Sequence, residues 1–147
     1  IWFGQGEGLV IAPPPQVVAR PNCNASGPGV NWTGCVKTAA HLQGAKLKQS
    51  QLNATKLDEA DLRGAELSYS NLLRASLRAA NLKGASLQAA DLSGADLTGA
   101  NLGTADLSFA VFTGAKVDGL RLEGAKLDKA TWVDGRVCAE GSIGACR

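Results

Sequence analysis

The chain has 147 residues, with 15 basic and 13 acidic side chains, a net charge of +2, no methionine and few aromatics. This near balance excludes the basic excess of a typical nucleic-acid-binding domain, and it lacks the strong acidity of a DNA mimic. Plentiful alanine, leucine and glycine without large, varied apolar residues exclude an ordinary globular core, and no run of 18 apolar residues offers a membrane span.

Residues 1–29 read as an extended N-terminal arm and cap. The stretch GLVIAPPPQVV (8–18) is apolar, but Pro13, Pro14 and Pro15 impose an extended backbone. A chain that starts at Ile1 is expected to have lost an upstream piece. The arm leads to Cys23, then Trp32 and Cys35, and three Asn-x-Ser/Thr sequons begin at Asn24, Asn31 and Asn53. A composition of this kind produces such sequons by chance.

From Leu42 an apolar residue recurs every fifth position. The series runs Leu42, Leu47, Leu52, Leu57 and onward through Leu107, then Phe112, Val117, Leu122, Leu127 and Trp132, which makes 19 centres. Two places before each centre stands Ala, Ser or Thr in 18 of them, Leu120 being the exception. A period of five suits neither regular element. Successive leucines would lie about 140° apart on a helix and would alternate faces on a strand. It does suit a short extended segment followed by a tight bend. Four such segments make a square coil that rises about 4.8 Å per turn and stacks residue i under residue i+20. The centre and the small residue two before it then point to the axis, and the remaining positions point outward.

The motif A[DN]LxG, seen in ADLSG (90–94), ADLTG (95–99) and AANLKG (79–84), resembles the pentapeptide-repeat family. The resemblance covers roughly residues 40–134. It implies a right-handed quadrilateral β-helix, an all-β solenoid of nearly five turns and about 24 Å in length. The expected organisation is the arm and N-cap over 1–29, the repeat β-helix over 30–137 and a C-terminal cap over 138–147. The polar residue before the centre departs from the family's Asp or Asn at Lys46, Gln51, Lys56, Lys116, Arg121 and Lys126. Trp32 reads as a plug on the first turn, Lys37 as a frayed position, and Leu120 as oversized for its inward slot on a looser last turn.

Cys23 and Cys35 precede the repeats, and Cys138 and Cys146 follow them. Pairs at opposite ends of a rod suit two local disulfides, Cys23 with Cys35 and Cys138 with Cys146. A four-thiolate zinc site and free thiols are the alternatives. The flanks 28–35 and 132–146 look like the cysteine-bearing ends of exported members of the family. Persistent disulfides imply an oxidising, extracytoplasmic compartment: periplasm, thylakoid lumen or the cell exterior.

Chemistry is sparse. His41 is the single histidine, so a nucleophile paired with a histidine base is absent. Asp58–Glu59 and the Asp91/Asp96 pair fall on the outside of a rod, where a solvated surface is the expected role. The glycines at 94, 99, 114, 119 and 124 are corner residues, with no phosphate-loop lysine after them. No catalytic residue, metal, cofactor, small-molecule substrate or nucleic-acid partner is therefore expected. Residues 40–134 carry 11 basic and 11 acidic side chains. The resemblance implies, as its best-known activity, binding of a type II topoisomerase by a dimeric, acidic, DNA-like rod, and the neutral surface leaves that as the alternative. The expected role is a non-enzymatic structural or protein-binding scaffold. The charge-poor side bearing Leu73, Val111 and Val133, with Tyr69 and Phe109 at its edge in a shared outward column of the neighbouring side, is the expected contact surface for a protein partner or a weak homodimer.

Overall fold

A computed structural model describes residues 20–147, so most of the expected N-terminal arm, residues 1–19, lies outside the described residues. The chain winds as a right-handed quadrilateral β-helix. Parallel bridges join each residue before a centre to the one twenty places on, from Asn31–Gln51 to Val111–Thr131. We name the four sides by one centre each: Leu52, Leu57, Leu62 and Leu67.

Each pentad settles its own backbone. The amide after the bend closes the turn onto the centre's carbonyl, as Ala45 does onto Leu42 at 3.0 Å. The centre donates to the next coil (Leu52 N to Asn71 O, 2.7 Å), and the residue before it donates to the previous one (Asn71 N to Ser50 O, 2.9 Å). The second residue after the centre also donates to the next coil and has a positive φ, the requirement of a type II turn. Glycine fills this position at Gly94 and Gly99, whereas Ala89, Tyr69 and Phe109 hold it against the left-handed penalty of an L residue.

One amide per pentad is left over, that of the first residue after the centre. Asp or Asn before the centre captures it: Asn71 accepts from Leu73 N at 3.0 Å, Asp91 from Ser93 N at 2.9 Å, and Asn101 from Gly103 N at 2.9 Å. The Asp/Asn preference in the motif thus has a cause, since an Asx side chain is short enough to satisfy the backbone two residues on.

The leucine centres from Leu52 to Leu107 are buried, with the alanines filling the narrow space beside them. Thr55 and Ser70 also point inward, their hydroxyls donating to the carbonyls of Trp32 and Leu47 at 2.7 Å each. Phe112 continues the Leu52 column and meets Trp132 with ring centroids 5.1 Å apart. Val117, Leu120 and Leu122 are half-buried, whereas Ala125, Leu127 and Ala130 of the last coil are fully buried.

Both ends are tied by disulfides, Cys23–Cys35 and Cys138–Cys146, with Cα separations of 5.7 and 4.9 Å. None of these cysteines is a free thiol or is left to bind zinc. Trp32 is buried as the first-turn plug and donates its indole N–H to Ala25 O at 2.9 Å. Lys37 departs from the frayed position expected of it. Its amide joins the ladder at Lys56 O, its ammonium lies 4.2 Å from the Trp32 ring centroid, and it donates to the Cys23 carbonyl. A lysine can occupy a central slot at the end of the column because its stem packs while its head leaves. At the other end, residues 137 and 143 run antiparallel to Thr131 and Lys126 and cover the last coil's edge.

Candidate partner-binding face

The outer columns inherit the ladder's spacing. Tyr69, Ala89, Phe109 and Lys129 occupy one corner column of the Leu67 side, each of the first three donating its amide to the next coil. Tyr69 is 64% exposed and Phe109 61%, the two largest exposed rings among the described residues. Each side chain leaves a backbone with φ near +60°, which places it on a corner. A shallow cavity of about 390 Å³ runs along this column, lined by Tyr69, Ala89, Phe109 and Lys129. Gln88, Ser108, Asp128 and Glu140 contribute to its wall.

The five residues of the expected surface lie on two adjoining sides, the rings in one column and the three aliphatic residues beside it. Tyr69 and Phe109 share the cavity on the Leu67 side. Leu73, Val111 and Val133 lie on the adjoining Leu52 side, are half-buried, and do not line it. Glu140 joins the cavity wall from the C-terminal cap, a contribution that the repeat period alone could not reveal.

Several carboxylates are engaged in structure. Asp61 is held down to about 2 chiefly by the Arg63 side chain, whose guanidinium lies at 2.6 Å. Partial burial pushes Asp96 up, but the Thr98 hydroxyl and amide and the Arg78 guanidinium outweigh it and bring it to about 2. Burial likewise raises Asp106, and bonds from Ser108 and Gln88 more than offset it. A carboxyl depressed in the fold stabilises it above the unfolded value of about 4, and that contribution disappears as pH falls through the folded value. Thermal melting should therefore weaken between about pH 4 and 2. Asp96→Asn, which keeps an acceptor but cannot titrate, should flatten part of that slope. An unchanged slope in the variant would show that Asp96 does not contribute.

His41 is exposed, and among the described residues no group of three or more His, Cys, Asp or Glu side chains could hold a metal ion. Among those residues no helix is long and apolar enough to cross a membrane. Of the sequons, Asn24 is exposed, whereas the threonine of the third, Thr55, is buried against Trp32.

The profile of the Pentapeptide repeats family matches eight copies over residues 38–72, 55–94 and 105–131. Rfr23, a pentapeptide repeat protein from the cyanobacterium Cyanothece 51142, is 32% identical, with a TM-score of 0.55 over 72% of this chain and 83% of its own. A pentapeptide repeat protein from the Arabidopsis thaliana thylakoid lumen shares the fold at 24% identity and a TM-score of 0.56, over 78% of this chain and 82% of its own. QnrB1, a plasmid-mediated fluoroquinolone resistance protein, shares it at 17% identity and a TM-score of 0.53, over 84% and 76%. No curated protein matches the chain by sequence.

Proposed function

The chain belongs to the pentapeptide-repeat family, and from that premise we propose that it is a non-enzymatic protein-binding scaffold working outside the cytoplasm. The observation that carries this reading is the pair of exposed rings, Tyr69 and Phe109, fixed on a rigid ladder in a chain poor in aromatics. Aromatics are enriched at protein contacts, and a side that does not move on binding loses little entropy. The charge-poor Leu52 side, with Leu73, Val111 and Val133, adjoins them and extends the contact area. Two disulfides support an oxidising compartment. The balanced surface charge weighs against the DNA-like topoisomerase-binding rod, which needs a strongly acidic surface.

Leu73→Lys/Val111→Lys leaves the inward columns intact, so stability should move by no more than about 0.5 kcal/mol. Crosslinked capture from extract of the native compartment should recover a defined partner with the wild type and lose it with this variant. Sedimentation at high concentration checks for a self-contact at the same side. Identical capture and identical sedimentation would exclude the Leu52 side as a contact surface.

A further inference from the structure

We propose that the slot between Tyr69 and Phe109 receives a cationic side chain, an arginine or lysine presented by a protein partner. The proposal rests on the scaffold reading above and assigns the chemistry of the contact. Three observations lead to it.

The first is spacing. Tyr69 and Phe109 are separated by two steps of the same ladder, with Ala89 between them. At strand spacing their column positions stand about 9.6 Å apart, so a group midway lies about 4.8 Å from each. A cation is attracted by a ring face within about 6 Å of its centroid. A cationic head seated over Ala89 is thus within reach of both column positions. Alanine is what keeps the slot open, since any longer side chain at position 89 would fill it.

The second is charge. Asp128 and Glu140 line the cavity, and Asp106 lies behind its wall, hydrogen-bonded to the wall residues Gln88 at 2.5 Å and Ser108 at 2.7 Å. Lys129 and Lys126 oppose these three carboxylates and leave one negative charge in excess. Lys129 lines the cavity too, beside Asp128 and one step past Phe109, so the lining itself carries two carboxylates against one ammonium. Its long stem lets the ammonium stay in water.

The third is backbone geometry. Tyr69 and Phe109 have φ of 61° and 62°, at a position where glycine is the unstrained choice. The type II turn imposes this angle on every pentad, so it does not single out the two rings but fixes both at the same corner of their coils.

The test uses N-acetyl-arginine amide, N-acetyl-lysine amide, the neutral isostere N-acetyl-citrulline amide, and choline, titrated into the full protein and followed by the ring protons of Tyr69 and Phe109. The arginine and lysine probes should bind in the millimolar range and weaken on adding salt, and citrulline should bind at least tenfold more weakly. Tyr69→Ala and Phe109→Ala should each weaken binding by about threefold. Both should fold, because alanine already stands in the same column at position 89. Asp128→Asn should weaken the cations and leave citrulline unchanged. Equal binding of citrulline, or ring signals that do not move, would overturn the assignment. Choline binding tenfold more tightly than either amino-acid probe would also overturn it, in favour of a free quaternary ammonium ligand. Capture from extract separates the two readings: a partner retained equally by the wild type and Tyr69→Ala/Phe109→Ala refutes the cation slot alone, and probe binding without any captured partner refutes the scaffold alone.

Discussion

Leu92→Ala should lower the unfolding free energy by about 2–5 kcal/mol, the range for emptying a leucine site in a packed core. Leu92 is fully buried in the column between Leu72 and Phe112. The neighbours cannot collapse into the void, because each is fixed in its own coil by the bond from Leu72 N to Asp91 O at 2.7 Å and its counterpart from Leu92 to Val111. Ser93→Ala, one residue later and pointing outward, should change stability by less than about 0.5 kcal/mol. Urea unfolding of the two variants decides the matter. Comparable losses would mean that the inward and outward columns are misassigned.

The second large effect is expected at the C-terminal end. Opening the Cys138–Cys146 bridge by serine substitution should cost about 2.5 kcal/mol, the chain-entropy value for a loop with an eight-residue separation. The loss has a location. Residues 137–144 take amides from the last coil: Leu127 donates to Ser142 O at 2.9 Å and Lys129 to Cys138 O at 3.2 Å. With the bridge gone, hydrogen exchange should speed up at these amides first, while Leu72 and Leu92 keep their protection. Trp132, half-buried beneath Phe112, should report the same opening by fluorescence. Uniform loss of protection along the rod would show that the cap acts on the whole fold rather than on its end.

Much of this architecture could be read from the chain because its cause is local. A bend every five residues forces Leu92, Leu97 and Leu102 inward and leaves room only for the alanines before them. The parts that escaped reading depend on groups that a spacing argument does not track. Asp96 was expected to matter little because it points outward, yet it accepts from Thr98 N at 3.0 Å and from Arg78. Seeing that needs a count of amides, which shows the one in each pentad that the ladder leaves over. Lys37 fails an apolar-centre criterion although its backbone is in register, since its ammonium donates to the Cys23 carbonyl of the cap and lies over the Trp32 ring of the first turn. The period puts Tyr69 and Phe109 in one column on the side neighbouring Leu52, but it does not show the cavity they share with Gln88, Ser108 and Glu140. Which way a corner side chain leans depends on a backbone angle that the sequence does not display.

The twenty-residue ladder also restricts how a gene of this kind can change in length. An insertion or deletion of five residues preserves every turn and every inward column, so the protein still folds, but all that follows is turned to the next side of the rod. Phe109 would then leave the column of Tyr69, and the slot would vanish without any residue in it being mutated. A change of twenty residues restores the sides and shifts only the height. Removed between positions 69 and 109, twenty residues would bring the two rings onto adjacent coils, about 4.8 Å apart, and close the gap. Fold and surface therefore have different units of inheritance, five residues for the one and twenty for the other, and the forty residues from Tyr69 to Phe109 are two of the larger.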